Sequence, residues 1–172
     1  MLKKIAITGP ESTGKSWLAE QLAREFNTVW VPEFAREYLS DLHRYYTIED
    51  VVEIAKGQQQ NEKLMEIQAS EFLFSDTEMF VCSIWTEFVF GKVPEFIRQA
   101  VESQQYDLYL LCNIDLPWEP DPLREHPDNR EDIFEKYRLA LSDANLPYVI
   151  INGLGKNRLA EAINAVKKQF LL

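Results

Sequence analysis

The segment from Gly9 to Ser16 constrains this chain more than any other, because it fits the pattern G-x-x-x-x-G-K-[ST] in full. An apolar run at Lys4–Thr8 precedes it and predicts a buried strand, and the residues that follow place apolar side chains on one helical face. Strand, glycine-containing loop and helix are the context in which this motif, the phosphate-binding loop (P-loop), holds phosphate. Its backbone N–H groups surround an anion at a helix N-terminus. The segment therefore predicts a nucleoside triphosphate site.

Two side chains of this loop have defined tasks in the motif. Lys15 is placed to give positive charge to the β- and γ-phosphates, and the Ser16 hydroxyl is placed to hold Mg²⁺. We therefore predict ATP and Mg²⁺ as cofactors and Lys15 as a catalytic residue. The predicted cofactor-binding residues belong to the motif and are Gly9, Glu11, Ser12, Thr13, Gly14, Lys15 and Ser16. The predicted helix continues from Trp17.

Length, charge and cysteine content narrow the class of protein. The 172 residues suit one domain with a sizeable core, which we predict to span 1–172. No run approaches the ~20 apolar residues of a membrane span, and no signal-peptide pattern opens the chain, so we expect a cytoplasmic protein without a membrane partner. Cys82 and Cys112 are interpreted as reduced core thiols. The net charge of −10 argues against nucleic acid as a partner.

A glutamate follows the second predicted strand, Thr28–Val31, which ends at Pro32. In open α/β sheets the carboxyl ends of the strands border the ligand site. Glu33 is therefore our candidate general base, taking a proton from an acceptor hydroxyl. Arg36, one helical turn on, could hold that carboxylate or a phosphate. The alternative is a helix N-terminal glutamate in an ordinary i,i+3 ion pair.

An aspartate ends the next apolar run, Glu71–Thr77. A hydrophobic strand that ends in aspartate is typical of a Walker B element, in which the carboxylate organises Mg²⁺ directly or through water. We therefore predict that Asp76 serves Mg²⁺ or, as an alternative, that it contacts a sugar hydroxyl of the substrate. An ordinary buried strand that leads to a turn would show the same pattern.

Two helices are predicted around this strand. The first starts after Thr47 as its cap and runs towards Ile67, and its polar middle, Gln58–Asn61, either faces a substrate or is a solvated helix face, which we favour. The second lies within Phe80–Phe90, whose aromatic stripe is more typical of a core than of a base-stacking platform. Within it, we expect Trp85 to border the pocket.

The segment from about residue 116 to 131 predicts a lid. It holds four prolines and links the strand Tyr106–Cys112 to a helix around 132–141. Long connections without regular structure are usually lids or binding loops, and kinases need arginines on the phosphoryl group. Arg124 and Arg130 are therefore the remaining catalytic candidates. The alternative is a rigid loop with solvent-facing arginines; we assign His126 no chemistry.

The last elements complete an alternating pattern. Pro147–Gly153 is a predicted fifth strand, Gly153–Gly155 makes a turn, and Arg158–Phe170 is a helix with one apolar face. Strands that alternate with helices predict an α/β P-loop NTPase fold: a parallel sheet of about five strands, helices on both faces, and a short lid.

The whole chain resembles the ribosylnicotinamide kinase domain of NadR-type proteins and its stand-alone relatives, to which the lid is especially similar. The matching segments are Gly9–Ser16, Glu33–Glu37, Phe74–Thr77 and Asp107–Leu111. The resemblance implies transfer of the ATP γ-phosphate to the 5′-hydroxyl of nicotinamide riboside, giving the mononucleotide. It places Glu33 near the accepting hydroxyl and Asp76 near Mg²⁺ or the ribose.

Other interpretations stay open at this point. At this length we do not expect the adenylyltransferase and DNA-binding parts of bifunctional relatives. The resemblance also implies aromatic side chains that stack on the nicotinamide ring, for which the sequence offers Trp30, Phe34, Tyr38 and Trp85. The acceptor could instead be thiamine or another nucleoside. A different class, a regulatory P-loop ATPase without a small acceptor, would fit the P-loop alone. The sequence does not indicate an oligomeric state.

Overall fold

A parallel sheet organises the protein in the computed structural model, which describes residues 1–171. Its strand order is β2-β3-β1-β4-β5, so the strand that leads into the P-loop is central. Every neighbouring pair is parallel, and all carboxyl ends therefore lie at one edge. The strands are β1 (Lys3–Thr8), β2 (Trp30–Val31), β3 (Phe72–Asp76), β4 (Leu108–Cys112) and β5 (Tyr148–Ile151).

Helices cover both faces of this sheet, which confirms the predicted fold class. In residues 1–171 they are α1 (Lys15–Glu25), α2 (Phe34–Ser40), α3 (Ile48–Glu66), α4 (Met79–Phe90), α5 (Glu95–Ser103), α6 (Arg130–Asp143) and α7 (Gly155–Phe170). Within the described residues, no helix combines the length and the apolar character needed to cross a membrane.

The two faces follow from the alternation of side chains along each strand. Ile5 and Ile7 of β1 point to the face covered by α1 and α7. Ala6 points to the opposite face, where α4 and α6 pack. A parallel sheet covered on both faces buries every position of its central strands, and β3 and β4 are fully buried. This is why both read as nearly continuous apolar runs in the sequence.

Several predicted boundaries change in the structure. The second strand covers only Trp30–Val31, because β2 is an edge strand that pairs with β3 alone, and Thr28 instead donates its hydroxyl to the Phe72 carbonyl at 2.6 Å. The fourth strand starts at Leu108, where its pairing with β1 begins. Helix α5, between α4 and β4, is absent from the predicted elements. Cys82 and Cys112 are buried free thiols, as expected.

Helix α3 starts after Thr47, as predicted, and its first turn is held by the buried carboxylate of Asp50. This carboxylate accepts from the Thr47 N–H at 2.7 Å and from the Tyr38 hydroxyl at 2.8 Å. It also accepts two bonds from the Arg44 guanidinium, at 2.6 and 2.8 Å. These donors, Arg44 first, hold the pKa of Asp50 well below its usual range. Asp50 thus joins α2, α3 and the loop between them.

We expect Asp50→Asn to lower the free energy of unfolding at pH 7 by about 1–2 kcal/mol, a value kept small because Arg44 is exposed. A depressed folded-state pKa means that the stabilisation is complete above the ordinary value of 3.8 and is lost as the pH falls below it. Urea unfolding at pH 7 and pH 3 should show the difference from wild type shrinking at pH 3. Glu49→Gln, in the same turn but exposed, is the control; an equal loss there would contradict the assignment to Asp50.

Candidate active site

The P-loop connects β1 to α1 at the carboxyl edge of the sheet, and its glycines allow a close approach of backbones. Gly9 has φ +130°, and a Cβ there would lie 2.9 Å from the Cys112 carbonyl oxygen. Gly14 caps α1 with φ +76°, a conformation that side chains rarely adopt. The Lys15 ammonium donates to the Pro10 carbonyl at 2.8 Å, within the same loop. The loop therefore has the curled form that a phosphate group requires.

A cavity of about 550 Å³ opens beside this loop. Its walls come from the P-loop, the start of α2, the middle of α3, helix α4 and the lid segment. It brings together Lys15, Ser16, Glu33 and Arg124, four of the residues singled out in the sequence. Arg130 is not part of its lining. The cavity is large enough for a nucleoside-sized molecule beside the phosphate groups.

Glu33, two residues beyond β2, and Asp76, the last residue of β3, carry carboxyl groups that interact electrostatically. Glu33 precedes the first residue of α2 and makes no side-chain cap bond to that helix. Asp76 is the last residue of β3 and is 2% exposed. Burial first, and then the negative charge of Glu33, raise the pKa of Asp76 to about 7, while Ser16, Lys15 and Arg36 oppose the shift. The two carboxyl groups therefore share one electrostatic environment with the P-loop.

Magnesium fits the residues at this point. The Oδ1 atom of Asp76 is buried without a hydrogen-bond partner among residues 1–171, and the Ser16 side chain is close enough to influence its pKa. A carboxylate oxygen and a hydroxyl oxygen are ligands that Mg²⁺ prefers. A cation here would also compensate the cost of a buried carboxylate.

The lid segment is held against the P-loop by polar contacts. The Glu11 carboxylate accepts from the N–H groups of Glu125 and His126, at 3.0 and 3.2 Å. The Ser12 hydroxyl accepts from the N–H of Glu119 at 2.9 Å. On the other side of the cavity, Arg36 pairs with Asp121 of the lid at 3.0 Å. Arg36 thus pairs with Asp121 of the lid. The alternative interpretation, in which Arg36 forms an i,i+3 ion pair with Glu33, is not what the structure shows.

Both arginines of the lid lie against the P-loop rather than in solvent. Arg124 donates to the Ser12 hydroxyl at 3.3 Å and to the Glu119 carbonyl, and it lines the cavity. Arg130, the first residue of α6, donates to the carbonyls of Ser12, Ile114 and Leu116 at 3.1, 3.1 and 2.7 Å. Arg124 is therefore positioned to reach the phosphate side of the cavity, whereas Arg130 fixes the base of the lid.

Aromatic side chains form part of the cavity wall. Trp85 borders it, as expected, and donates its indole N–H to the Tyr46 hydroxyl at 3.1 Å. Tyr46 in turn bonds the Glu125 carboxylate of the lid. His126, to which the sequence assigned no role, also lines the cavity, with its ring 4.8 Å from that of Phe88. Tyr46 carries no motif that would have indicated this position.

The other three aromatic candidates lie outside the cavity lining. Trp30 packs against the core beneath α1 and α7. Phe34 lies against Gly57 and the ring of Tyr38, and Tyr38 itself donates to Asp50. Of the four, only Trp85 is among the cavity-lining residues described.

A smaller cavity of about 270 Å³ lies on the other side of the P-loop. The P-loop, the start of α1, the lid segment and the start of α7 make its wall. Its lining comprises Ser12, Gly14, Trp17, Leu116, Pro117, Glu119, Arg124, Gly155 and Arg158. Because Gly14 and Arg124 border both cavities, a molecule that extends from one to the other would pass over the P-loop.

Arg158 of α7 is a further residue of the site that sequence reasoning missed. It is 1% exposed, and its guanidinium donates to the carbonyls of Thr13, Asn113 and Ile151 at 3.0, 2.8 and 2.8 Å. It also pairs with Asp115 at 3.2 Å. One side chain thus ties the P-loop to the loops after β4 and β5. A single arginine at the start of a helix carries no sequence signal for this role.

We expect Arg158→Lys to raise KM for the nucleotide by about tenfold, because an ammonium cannot bond these acceptors in the planar fork of a guanidinium. Buried carbonyls left without donors should also lower the melting temperature. Nucleotide titration and thermal unfolding measure the two effects. Arg138→Lys, on the exposed side of α6, is the control. Wild-type nucleotide binding in Arg158→Lys would remove this residue from the support of the P-loop.

Taken with its sheet order, the site defines the chain as a P-loop nucleotide-binding protein. It belongs to the AAA domain family, whose profile matches residues 4–158. Over 129 residues, 72% of this chain, it is 29% identical to the trifunctional NAD biosynthesis/regulator protein NadR of Escherichia coli K12. The match spans only 31% of that relative. The resemblance to NadR-type proteins is thereby confirmed.

Solved structures agree on the fold. A NadR crystal structure in complex with NR superposes with a TM-score of 0.81 at 22% identity, covering 99% of this chain and 50% of that one. The crystal structure of NadR in complex with NAD and AMP-PNP superposes with a TM-score of 0.78 at 23% identity, covering 97% of this chain and 49% of that one. Deoxyadenosine kinase from M. mycoides superposes with a TM-score of 0.66 at 13% identity, covering 96% of this chain and 99% of that one. The chain thus has the fold of P-loop nucleoside-type kinases and spans about half the length of the NadR chains.

Proposed function

We propose that this protein is an ATP-dependent kinase that phosphorylates the 5′-hydroxyl of nicotinamide riboside and gives nicotinamide mononucleotide. The observation that carries the proposal is the 550 Å³ cavity, in which the P-loop lysine and Glu33 line the same space. A phosphate-binding loop beside a carboxylate and an aromatic wall suits transfer to the hydroxyl of a ring-bearing sugar. The NadR crystal structure with NR supports this choice of acceptor.

In this proposal the residues act by position and charge. The acceptor oxygen bonds to the γ-phosphorus of ATP as the bond from that phosphorus to the β–γ bridging oxygen breaks, and Glu33 takes the hydroxyl proton. Lys15 and Arg124 stabilise negative charge on the phosphate oxygens. Ser16 and Asp76 would hold Mg²⁺, which would supply further charge neutralisation. The lid, held by Glu11, excludes water from the cavity.

Further parts of the proposal concern the two cavities and the setting. The smaller cavity takes the base of ATP, since it flanks the P-loop and joins the larger one. The aromatic wall around Trp85 takes the nicotinamide ring.

The chain acts as one domain, residues 1–172, with the lid at about 116–131. Two buried free thiols suit a reducing cytoplasm. The acidic charge suits a small-molecule partner better than nucleic acid.

ATP consumption against a panel of acceptors tests the proposal. The panel contains nicotinamide riboside, thiamine and common nucleosides, and Lys15→Ala protein serves as the blank for contaminating activity. We expect rapid turnover with nicotinamide riboside alone. A preference for thiamine or another nucleoside would replace the acceptor and keep the kinase. Slow hydrolysis that no acceptor stimulates would instead indicate a regulatory ATPase.

A further inference from the structure

Gln58 lies in the middle of α3 and is 3% exposed. Its side-chain oxygen accepts from the Phe34 N–H at 2.8 Å, and its side-chain nitrogen donates to the Asp76 carbonyl at 3.1 Å. The two partners fix the orientation of the amide, because one is a donor and the other an acceptor. The preferred interpretation of this helix face as solvated is therefore wrong for Gln58, which instead borders the cavity, although Gln60 is exposed as expected.

The two backbone groups bound by Gln58 adjoin the two carboxyl groups of the candidate site. The bonded N–H belongs to Phe34, the residue after Glu33, and the bonded carbonyl belongs to Asp76 itself. A glutamate at a helix N-cap would ordinarily be available to bond the free N–H groups of the first turn. Here Gln58 satisfies the N–H of the first helical residue, and Glu33 makes no side-chain cap bond to the N–H groups of the second or third residue. The Glu33 carboxylate thus remains available to the cavity that it lines.

Gly57, the residue before Gln58 on α3, lets α2 and α3 come close enough for Gln58 to reach the Phe34 N–H. A Cβ at Gly57 would lie 2.1 Å from the Phe34 ring, so only glycine leaves room for the ring against the α3 backbone. Gly57 and Gln58 therefore locate Phe34 in two ways, by ring packing and by the bond to its N–H. The start of α2 is thereby fixed relative to the end of β3.

We propose that Gln58 is a positioning residue that sets the spacing between the carboxylates of Glu33 and Asp76 during phosphoryl transfer. The inference rests on the proposed kinase function and deepens it. Gln58 acts through the backbone at Phe34 and Asp76. A displacement of about 1 Å at such a site lowers turnover by up to about 10²-fold.

Three variants test this role. Gln58→Met removes both bonds at similar volume, and Gln58→Glu keeps an acceptor for the Phe34 N–H but loses the donor to Asp76. Gln60→Glu, two residues on and exposed, is the matched control. We expect kcat to fall roughly 10- to 100-fold in both Gln58 variants, with KM for ATP and acceptor within about threefold of wild type. The control should keep the wild-type kcat.

A second readout separates positioning from general stability. If Gln58 acts through Glu33, then adding Gln58→Met to Glu33→Gln should change kcat by less than about threefold, because the effects of residues that act together are not additive. Amide hydrogen exchange should also quicken at Phe34 in Gln58→Met and not in Gln60→Glu. Unchanged kcat with only a lower melting temperature, or fully additive losses in the double variant, would overturn the inference.

Failure of the kinase assignment would look different. A wild-type protein that phosphorylates no acceptor would reject the proposed function, and the inference would fall with it, whether or not exchange at Phe34 responds to Gln58→Met. An active wild type together with fully active Gln58 variants would overturn the positioning role alone.

Discussion

Replacing Lys15 with alanine is expected to lower kcat for phosphoryl transfer by about 10²–10³-fold, the effect of removing one charge-stabilising group from a preorganised site. Within residues 1–171 the Lys15 ammonium makes one hydrogen bond, to the Pro10 carbonyl of its own loop, so its loss removes little from the fold. The circular dichroism spectrum should stay that of wild type, and the melting temperature should change little. Initial-rate assays with the best acceptor of the panel measure kcat.

The matched control for this change is Lys92→Ala, in the exposed turn between α4 and α5. Both variants lose one positive charge, so a general electrostatic effect on the acidic chain would appear in both. If Lys15→Ala retained wild-type turnover, the P-loop would not be the phosphate cradle of this protein.

Glu33→Gln should lower kcat by about 10²–10⁴-fold, because an amide cannot take the proton of the acceptor hydroxyl. The amide has almost the shape of the carboxylate, and the Glu33 side chain makes no cap bond to α2, so the start of this helix should not move. KM for ATP should stay near its wild-type value, since the phosphate groups are held by the P-loop. The expected signature is therefore a loss in kcat alone.

Glu37→Gln, one helical turn further along α2 and exposed, provides the control for this second change. A fully active Glu33→Gln protein would exclude this residue as the base. Asp76, the neighbouring carboxyl group, would then be the next candidate. A large rise in KM for the acceptor with unchanged kcat would instead assign Glu33 to substrate binding.

The fold could be predicted because its signals are local and strong. Residues 9–16 specify a strand-loop-helix unit, and the buried strands β3 and β4 read as apolar runs. A parallel sheet follows from strands that alternate with helices. Helix α5 was missed, although its apolar positions Phe96, Ile97 and Ala100 have helical spacing. The short strand β2 depends on a partner that the sequence does not reveal.

The candidate site was predictable where a motif, the end of a strand or the lid segment marks a residue. Lys15 and Ser16 belong to a fixed pattern, and Asp76 ends an apolar strand. Gln58 and Arg158 have no such mark, because each acts through carbonyl or N–H groups of segments distant along the chain. A buried glutamine within a polar stretch gives the same sequence pattern as a solvated one. Their roles depend on tertiary contacts and emerge only from the structure.

The contacts that hold the lid have a consequence for its susceptibility to proteases. Glu11, Ser12 and Arg36 hold the segment by polar bonds at its margins, and such bonds open at a lower free energy than a packed core. Trypsin cleaves after arginine, so the peptide bond after Arg124 should be cut long before any bond within the sheet. Bound nucleotide that engages Arg124 should slow this cut, and the rate of nicking should thus report how often the cavity stands open.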